Sequence, residues 1–430
     1  MKPTLTILLL GALSVSCGGN GCGGKGPDQS CPFVFLWDGE RYEYYTDLAG
    51  SVLGTGIDLF KPEHYDGGLY ELGAFAAEDG LYKMKVRETI HEADFFDKAE
   101  LVVVDVPAGY RALSTWSFTS QLGRPSPKKI VTVRDPRPPI AATDAEGRDV
   151  LHAVSHLDEV PLPVVEDGLS TVIVDFGPVA RPAHAKLVVT AWSHYKDLAD
   201  QKPPFLAGTK IETPDGSGGW VVRKVAGKNP GDRRTWVIDI AGVPTTQGSR
   251  MRITMAHQPI GLDVLDQVLL DDSAPVELKV THVAPHLADL QHGGSANYVP
   301  STLVNRIHCD DASNPDLPEA KMVGSFTRYG DVRPLLAAAD DRFVVMAHGD
   351  ELTLEFRAPP REPGGARWIL LEADVFYTIK NSVWGPITDS IDPLPFHGMK
   401  RYPYDPTDWP YRDDADYRRY LETWNTRRID

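Results

Sequence analysis

Histidines and carboxylates gather most densely at His282, His286, Asp289 and His292. On a helix, His282, His286 and Asp289 would share one face and could ligate a transition metal. Pro285 interrupts that stretch, and His282 ends a strand-like run, so solvated loop histidines are the simpler reading. Asp310, Asp311, Asn314, Asp316 and Glu319 make an oxygen-rich loop. Exported β proteins use such loops for calcium, which takes roughly six to eight oxygens. The EF-hand order with its Gly is missing, and a plain acidic loop is the default, so calcium is the one cofactor left open.

Other chemistries fail on their motifs. His91-Glu92 begins like HExxH, but Phe95 stands where the second His belongs. Gly293-Gly294-Ser295 lacks the closing Gly of a nucleophile elbow. Gly50 to Gly56 has no Lys-Ser/Thr ending, which excludes a P-loop. Paired carboxylates for glycoside hydrolysis are defined by distance in space, and among 60 acidic residues the sequence singles out no pair. No catalytic residue is assigned. Aromatic rings remain. Trp192, Trp220, Trp236 and Trp368 lie in strand-like runs and read as core. Trp384, beside Gly385-Pro386, is the best candidate for an exposed ring that stacks on a sugar.

The elements that must position these residues are strands. Phe33 to Trp37, an Asp38-Gly39 turn and Glu40 to Tyr45 form a hairpin signature. Runs rich in Val, Ile, Thr and aromatics follow, from Leu81–Thr89 to Trp368–Tyr377, most of them five to eight residues long. Their spacing predicts an all-β chain of β-sandwich or jelly-roll domains, without βαβ units. Val332 to Asp340 reads as a short helix. The clearest helix runs from Asp413 to Arg427, with Asp413 or Asp414 as cap and Tyr417, Tyr420, Leu421 and Trp424 on one docking stripe. The expected division is 31–160 as an N-terminal β domain, 161–385 as a β-sandwich domain, and 386–430 as a strap with the helix. Residues 284–331 carry few strand signals.

The chain has 430 residues, 42% hydrophobic and 24% charged, enough for a buried core. Its net charge of -16 argues against nucleic-acid binding, which needs a basic face. Residues 1–16 join Lys2 to an apolar run too short to span a bilayer, as in a signal peptide. Leu13 to Cys17 is similar to a bacterial lipobox, with the aliphatic residue one place early. Residues 17–30 form a Gly-rich tether. These features imply a lipid anchor on Cys17, with soluble secretion as the rival. They place the protein in a bacterial cell envelope, as an outer-membrane lipoprotein or a secreted protein. Export permits disulfides, and Cys22, Cys31 and Cys309 are the candidates, paired as Cys31–Cys309 or Cys22–Cys31.

Cys31-Pro-Phe-Val-Phe with Trp37-Asp-Gly-Glu-Arg-Tyr42 resembles the opening of an uncharacterised group of exported bacterial proteins. Members are sometimes joined to FG-GAP or tetratricopeptide repeats. Gly349 to Phe356, Pro393 to Met399 with Arg401-Tyr-Pro-Tyr404, and Ala288-Asp-Leu290 with Gly294-Ser295 are similar to its later segments. Leu265-Asp266 departs from the Trp-Asp pair expected there. The resemblance implies export and β architecture, and no activity. The expectation is therefore a non-catalytic binding or scaffolding lipoprotein, held to the membrane by its anchor, with an envelope protein or a glycan as partner. A carbohydrate-binding module or glycoside-active enzyme is the alternative.

Overall fold

The computed structural model describes residues 32–48, 51–53, 67–73, 75–88, 92–117, 128–158, 162, 169–194, 208–227, 231–258, 261–293, 322–361, 363–379 and 390–430. Cys17, Cys22, Cys31, Cys309, Trp384 and the acidic loop at 310–319 lie outside them.

The fold is all-β. Alternation does the local work. In Leu81–Arg87, Tyr82, Met84 and Val86 are buried while Lys83, Lys85 and Arg87 face outward. Outside, Lys85 and Arg87 both reach Glu351 on the neighbouring strand, at 2.6 and 3.2 Å. That strand, Asp350–Arg357, is 266 residues further along the chain at Glu351.

Two sandwiches result. In the first, one sheet has the order Tyr42–Asp47, Phe33–Trp37, Leu81–Arg87, Asp350–Arg357, Leu287–His292, Gly330–Asp331. Its partner sheet has the order Lys279–Val283, Glu92–Pro107, Gly365–Ile379, Ser51–Leu53. Val344–Ala347 also pairs with Glu92–Pro107, and Gly68–Gly73 with Gly365–Ile379. One core joins the two sheets, with Val34, Met84, Leu290 and Leu352 from the first and Leu101, Val103, Ile369 and Leu371 from the second.

The second sandwich is built wholly from the middle of the chain. Its sheets are Trp220–Ala226, Thr209–Pro214, Met251–Thr254, Thr171–Asp175, Ala141–Asp144, and Arg234–Asp239, Lys186–His194, Gly261–Asp271, His257–Gln258. Val172, Val174, Ile211 and Ile253 from one sheet meet Leu187, Val189, Ile238 and Leu270 from the other. A short helix, Leu151–Ser155, packs on this sandwich, where Gln267 donates to the Ser155 carbonyl at 3.1 Å.

Strand pairing cuts across the division expected at residue 160. The chain begins the first sandwich, leaves it after Trp116, completes the second, and returns at Lys279 to finish the first. Sequence proximity misplaces the boundary because the returning strands are edge and centre partners of strands laid down far earlier.

Residues 390–412 contain no strand or α-helix, only short turns. Leu394, Phe396, Met399 and Tyr404 press them into the first core. The helix after them is Ala415–Trp424, capped by Asp414, whose side chain accepts from the N–H groups of Asp416 and Tyr417 at 2.8 and 2.9 Å. Tyr417 and Tyr420 are buried as the stripe requires, whereas Leu421 is exposed. The helix stops short of Arg427 because Arg427–Ile429 pairs as a strand with Gly324–Phe326. The helix expected at 332–340 is only a tight turn at Arg333–Leu335. Among its described residues, passage 284–331 contains three strands that its sequence did not announce. Replacing Asp414 by Ala removes the cap, and stability is expected to fall by about 1 kcal/mol, read from urea unfolding.

Candidate functional site

The two sandwiches meet along a seam. Leu113 and Val133 from the paired strands Arg111–Ser114 and Ile130–Val133 pack on Val188 and Val237 of the second sandwich. A buried ion pair crosses the same seam. Arg234, at the start of its strand, donates through Nη2 to Asp47 Oδ1 at 2.5 Å and to the Asp47 carbonyl. The Asp232 N–H donates to the same carboxylate at 3.1 Å, and the guanidinium lies 4.9 Å over the Tyr70 ring. Only glycine fits at position 231, because a Cβ there would stand 2.4 Å from Asp47 Oδ2.

A cavity of about 240 Å³ opens beside this pair. Tyr45, Tyr70, Trp116 and Trp236 supply its rings, and Glu71, Arg233 and Arg234 its charges. Trp236 is 3% exposed, yet among the described residues its Nε1–H has no hydrogen-bond partner. The same holds for Nε and Nη1 of Arg234. These are three N–H donors without acceptors at one wall. Buried donors normally find a partner, so this wall suits a ligand that carries oxygen.

Glu71 is the one carboxylate among the described lining residues. Burial pushes its pKa up to about 8, against the pull of Arg111. A carboxyl raised in the folded state is protonated there while it is already ionised in the unfolded chain. Stability therefore falls as pH rises from the ordinary carboxylate range to about 8. Glu71→Gln is expected to remove that slope. It should gain about 1–3 kcal/mol at pH 8 and nothing near pH 4.5, after discounting for solvent at a half-buried group. Urea midpoints across that pH range measure it.

Two clusters among the described residues have the side chains and spacing to hold a metal ion. Glu100, His282 and Glu372 sit on the surface with Lys98 and Lys128 among them. The lysines already neutralise the carboxylates. The other cluster joins the buried Asp97, Asp341 and Asp374 to His397 of the strap, whose side chain is partly exposed. Asp97 is the extra residue of a bulge, since Asp374 pairs with Lys98 and Val375 with Phe96. Asp341 takes a left-handed φ of 65°. His397 Nδ1 lies 2.6 Å from Asp341 Oδ1 and 3.4 Å from Asp97 Oδ2, and Nε2 lies 2.8 Å from Asp374 Oδ2. Tyr411 donates to Asp341 Oδ2. Burial opposes charge on His397, but the carboxylates outweigh it and hold its pKa at about 10. Burial pushes Asp97 up to about 7.

His282, His286 and Asp289 do not share a helix. His282 ends near the close of strand Lys279–Val283 and pairs with Glu100, His286 contacts Arg357 at 3.0 Å, and Asp289 lies in Leu287–His292. Trp192 and Trp236 are buried as expected, and Trp220 lies half-buried under Arg252. Trp116, Glu71, Arg233 and Arg234 escaped sequence reasoning. The Arg233-Arg234-Thr-Trp236 run at the head of a strand is the signal that could have found them.

No known protein family, curated protein or solved structure matches this chain. The geometry alone therefore carries its functional reading. Among the described residues, no helix is long and apolar enough to cross a membrane.

Proposed function

We propose that this chain is a non-catalytic binding protein of a bacterial envelope, held by a lipid on Cys17, and that its ligand site is the seam cavity. The observation that carries the reading is the wall of three buried, acceptor-free N–H donors on Arg234 and Trp236 beside four aromatic rings. Rings supply apolar area and stacking, and oriented donors fix polar groups. At about 240 Å³, the cavity falls just under the roughly 300–1,000 Å³ of drug-sized ligand sites. One sugar ring with a carboxylate or several hydroxyls suits this chemistry. Glycoside hydrolysis uses two carboxylates roughly 5–9.5 Å apart, and the described lining offers Glu71 alone. That favours binding over cleavage.

Glycan arrays and calorimetry on the full chain test the reading, with oligosaccharides containing uronic acids as the probe. Trp236→Phe keeps the apolar body and loses the N–H, so affinity is expected to fall at least tenfold with the fold intact by circular dichroism. The absence of binding to every glycan would remove the sugar reading. Mass spectrometry of the mature N-terminus tests the anchor, since Cys17→Ser should leave the protein in the soluble fraction.

A further inference from the structure

We propose that Asp97, Asp341 and His397 form a site for one divalent transition-metal cation, of the zinc or manganese type, that pins the strap to the first sandwich. One ligand atom from each of the three lies within 4.8 Å of the other two. Their placement is enforced by three elements remote in sequence. The bulge in Glu92–Pro107 presents Asp97, the turn before Val344–Ala347 presents Asp341, and the strap presents His397.

The charge arrangement requires a positive species. Asp374 accepts at 2.8 Å from His397 Nε2, which makes that nitrogen the N–H donor. The lone pair of Nδ1 then faces oxygens of Asp341 and Asp97 at 2.6 and 3.4 Å. Three lone-pair donors converge, and either a proton or a cation must stand between them. A proton serves the Asp341 contact. It leaves Asp97 with Oδ2 held by the Asp341 N–H at 2.8 Å and Oδ1 buried without a hydrogen-bond partner among the described residues, and leaves the carboxyl groups of Asp97, Asp341 and Asp374 around one imidazolium. A divalent cation answers both conditions, because it adds one more positive charge than the proton and ligates Asp97 directly.

The surroundings match those of a metal site. A ligating His characteristically donates its other N–H to a carboxylate, the place Asp374 holds, and ligating carboxylates are themselves hydrogen-bonded, as Asp341 is by Tyr411. Two carboxylates and one imidazole suit zinc or manganese better than calcium, which prefers oxygen alone. With zinc ligands at about 2.0–2.2 Å, the 2.6 Å contact widens on loading, since the ion replaces the proton between Nδ1 and Oδ1. The His397 side chain is partly exposed, which leaves a side open for water as a further ligand. No bond is made or broken beyond coordination and proton release.

The test uses the full chain, stripped with chelator and dialysed, then titrated separately with zinc, manganese and calcium chlorides. One zinc or manganese ion per chain is expected by elemental analysis, together with a rise of several degrees in the thermal midpoint. Asp97→Asn and His397→Gln should each abolish stoichiometric loading. Asp374→Asn keeps all three ligands, so it covers the case in which those variants misfold, and it should weaken loading about 10–100-fold. Glu100→Gln with His282→Ala removes the surface cluster and should leave loading unchanged. Absence of a bound ion in the unaltered chain would overturn the site. So would loading equal to the unaltered chain in folded Asp97→Asn or in Asp374→Asn, because the ion would then lie elsewhere.

Discussion

Asp47→Ala is expected to lower stability by about 3–5 kcal/mol. The substitution leaves the Arg234 guanidinium buried at the seam without its carboxylate, and leaves the Asp232 N–H without its acceptor. A buried charge stripped of its partner costs far more than the pair contributed. The double replacement Asp47→Leu with Arg234→Met removes both charges and should recover most of the loss. Urea denaturation of the unaltered chain, Asp47→Leu, Arg234→Met and the double replacement gives the coupling directly. Equal losses for Asp47→Ala and for the double variant would show that packing, and not charge, holds the seam.

Arg427→Met is the second. Arg427 donates to Asp350 Oδ2, to the Thr327 carbonyl at 3.0 Å and to Tyr329 Oη at 3.1 Å, and its guanidinium lies 4.4 Å over the Tyr329 ring. Asp350 is 1% exposed, and burial raises its pKa even with that cation beside it. Asp94, near it, is raised well above the ordinary value by burial and by Glu88. Without Arg427, the Asp350 pKa rises further in the folded state and stays ordinary in the unfolded chain. The folded state then holds a proton that the unfolded chain has lost, so stability declines as pH rises. The expected loss is about 3–5 kcal/mol at pH 8 and clearly less at pH 5. Urea midpoints at both values check it, and equal losses at both would contradict an ionic role.

The hairpin at residues 33–47 was legible in the sequence because its partners are adjacent. Asp38 and Gly39 close it, with the Asp38 carboxylate accepting from the Glu40 and Arg41 N–H groups at 2.8 and 2.9 Å. The helix cap at Asp414 was legible for the same reason, since everything that makes a cap lies within four residues. The nesting of one sandwich in the other was not. The partner of Leu81–Arg87 is chosen by pairing and burial across hundreds of residues, and no local pattern encodes it. The buried carboxylates were hidden likewise. Asp97 follows Phe95-Phe96 in a stretch where five successive side chains, Ala93 to Asp97, are buried, so a period-two reading passes over it, and the bulge that places it has no local signature. His397 is a lone histidine in a Pro-rich strap, and its three acidic neighbours come from positions 97, 341 and 374.

Because the chain enters and leaves the second sandwich from within the first, the two bodies differ in how they bear mechanical load. Tension applied between residues 33 and 429 runs through the outer body, whose strands hold both of those points. The inner body lies off the line of force until its host tears. A protein leashed by its front end and tugged from outside would thus yield first at Arg427–Ile429 and the strap, while the inner sandwich kept its shape.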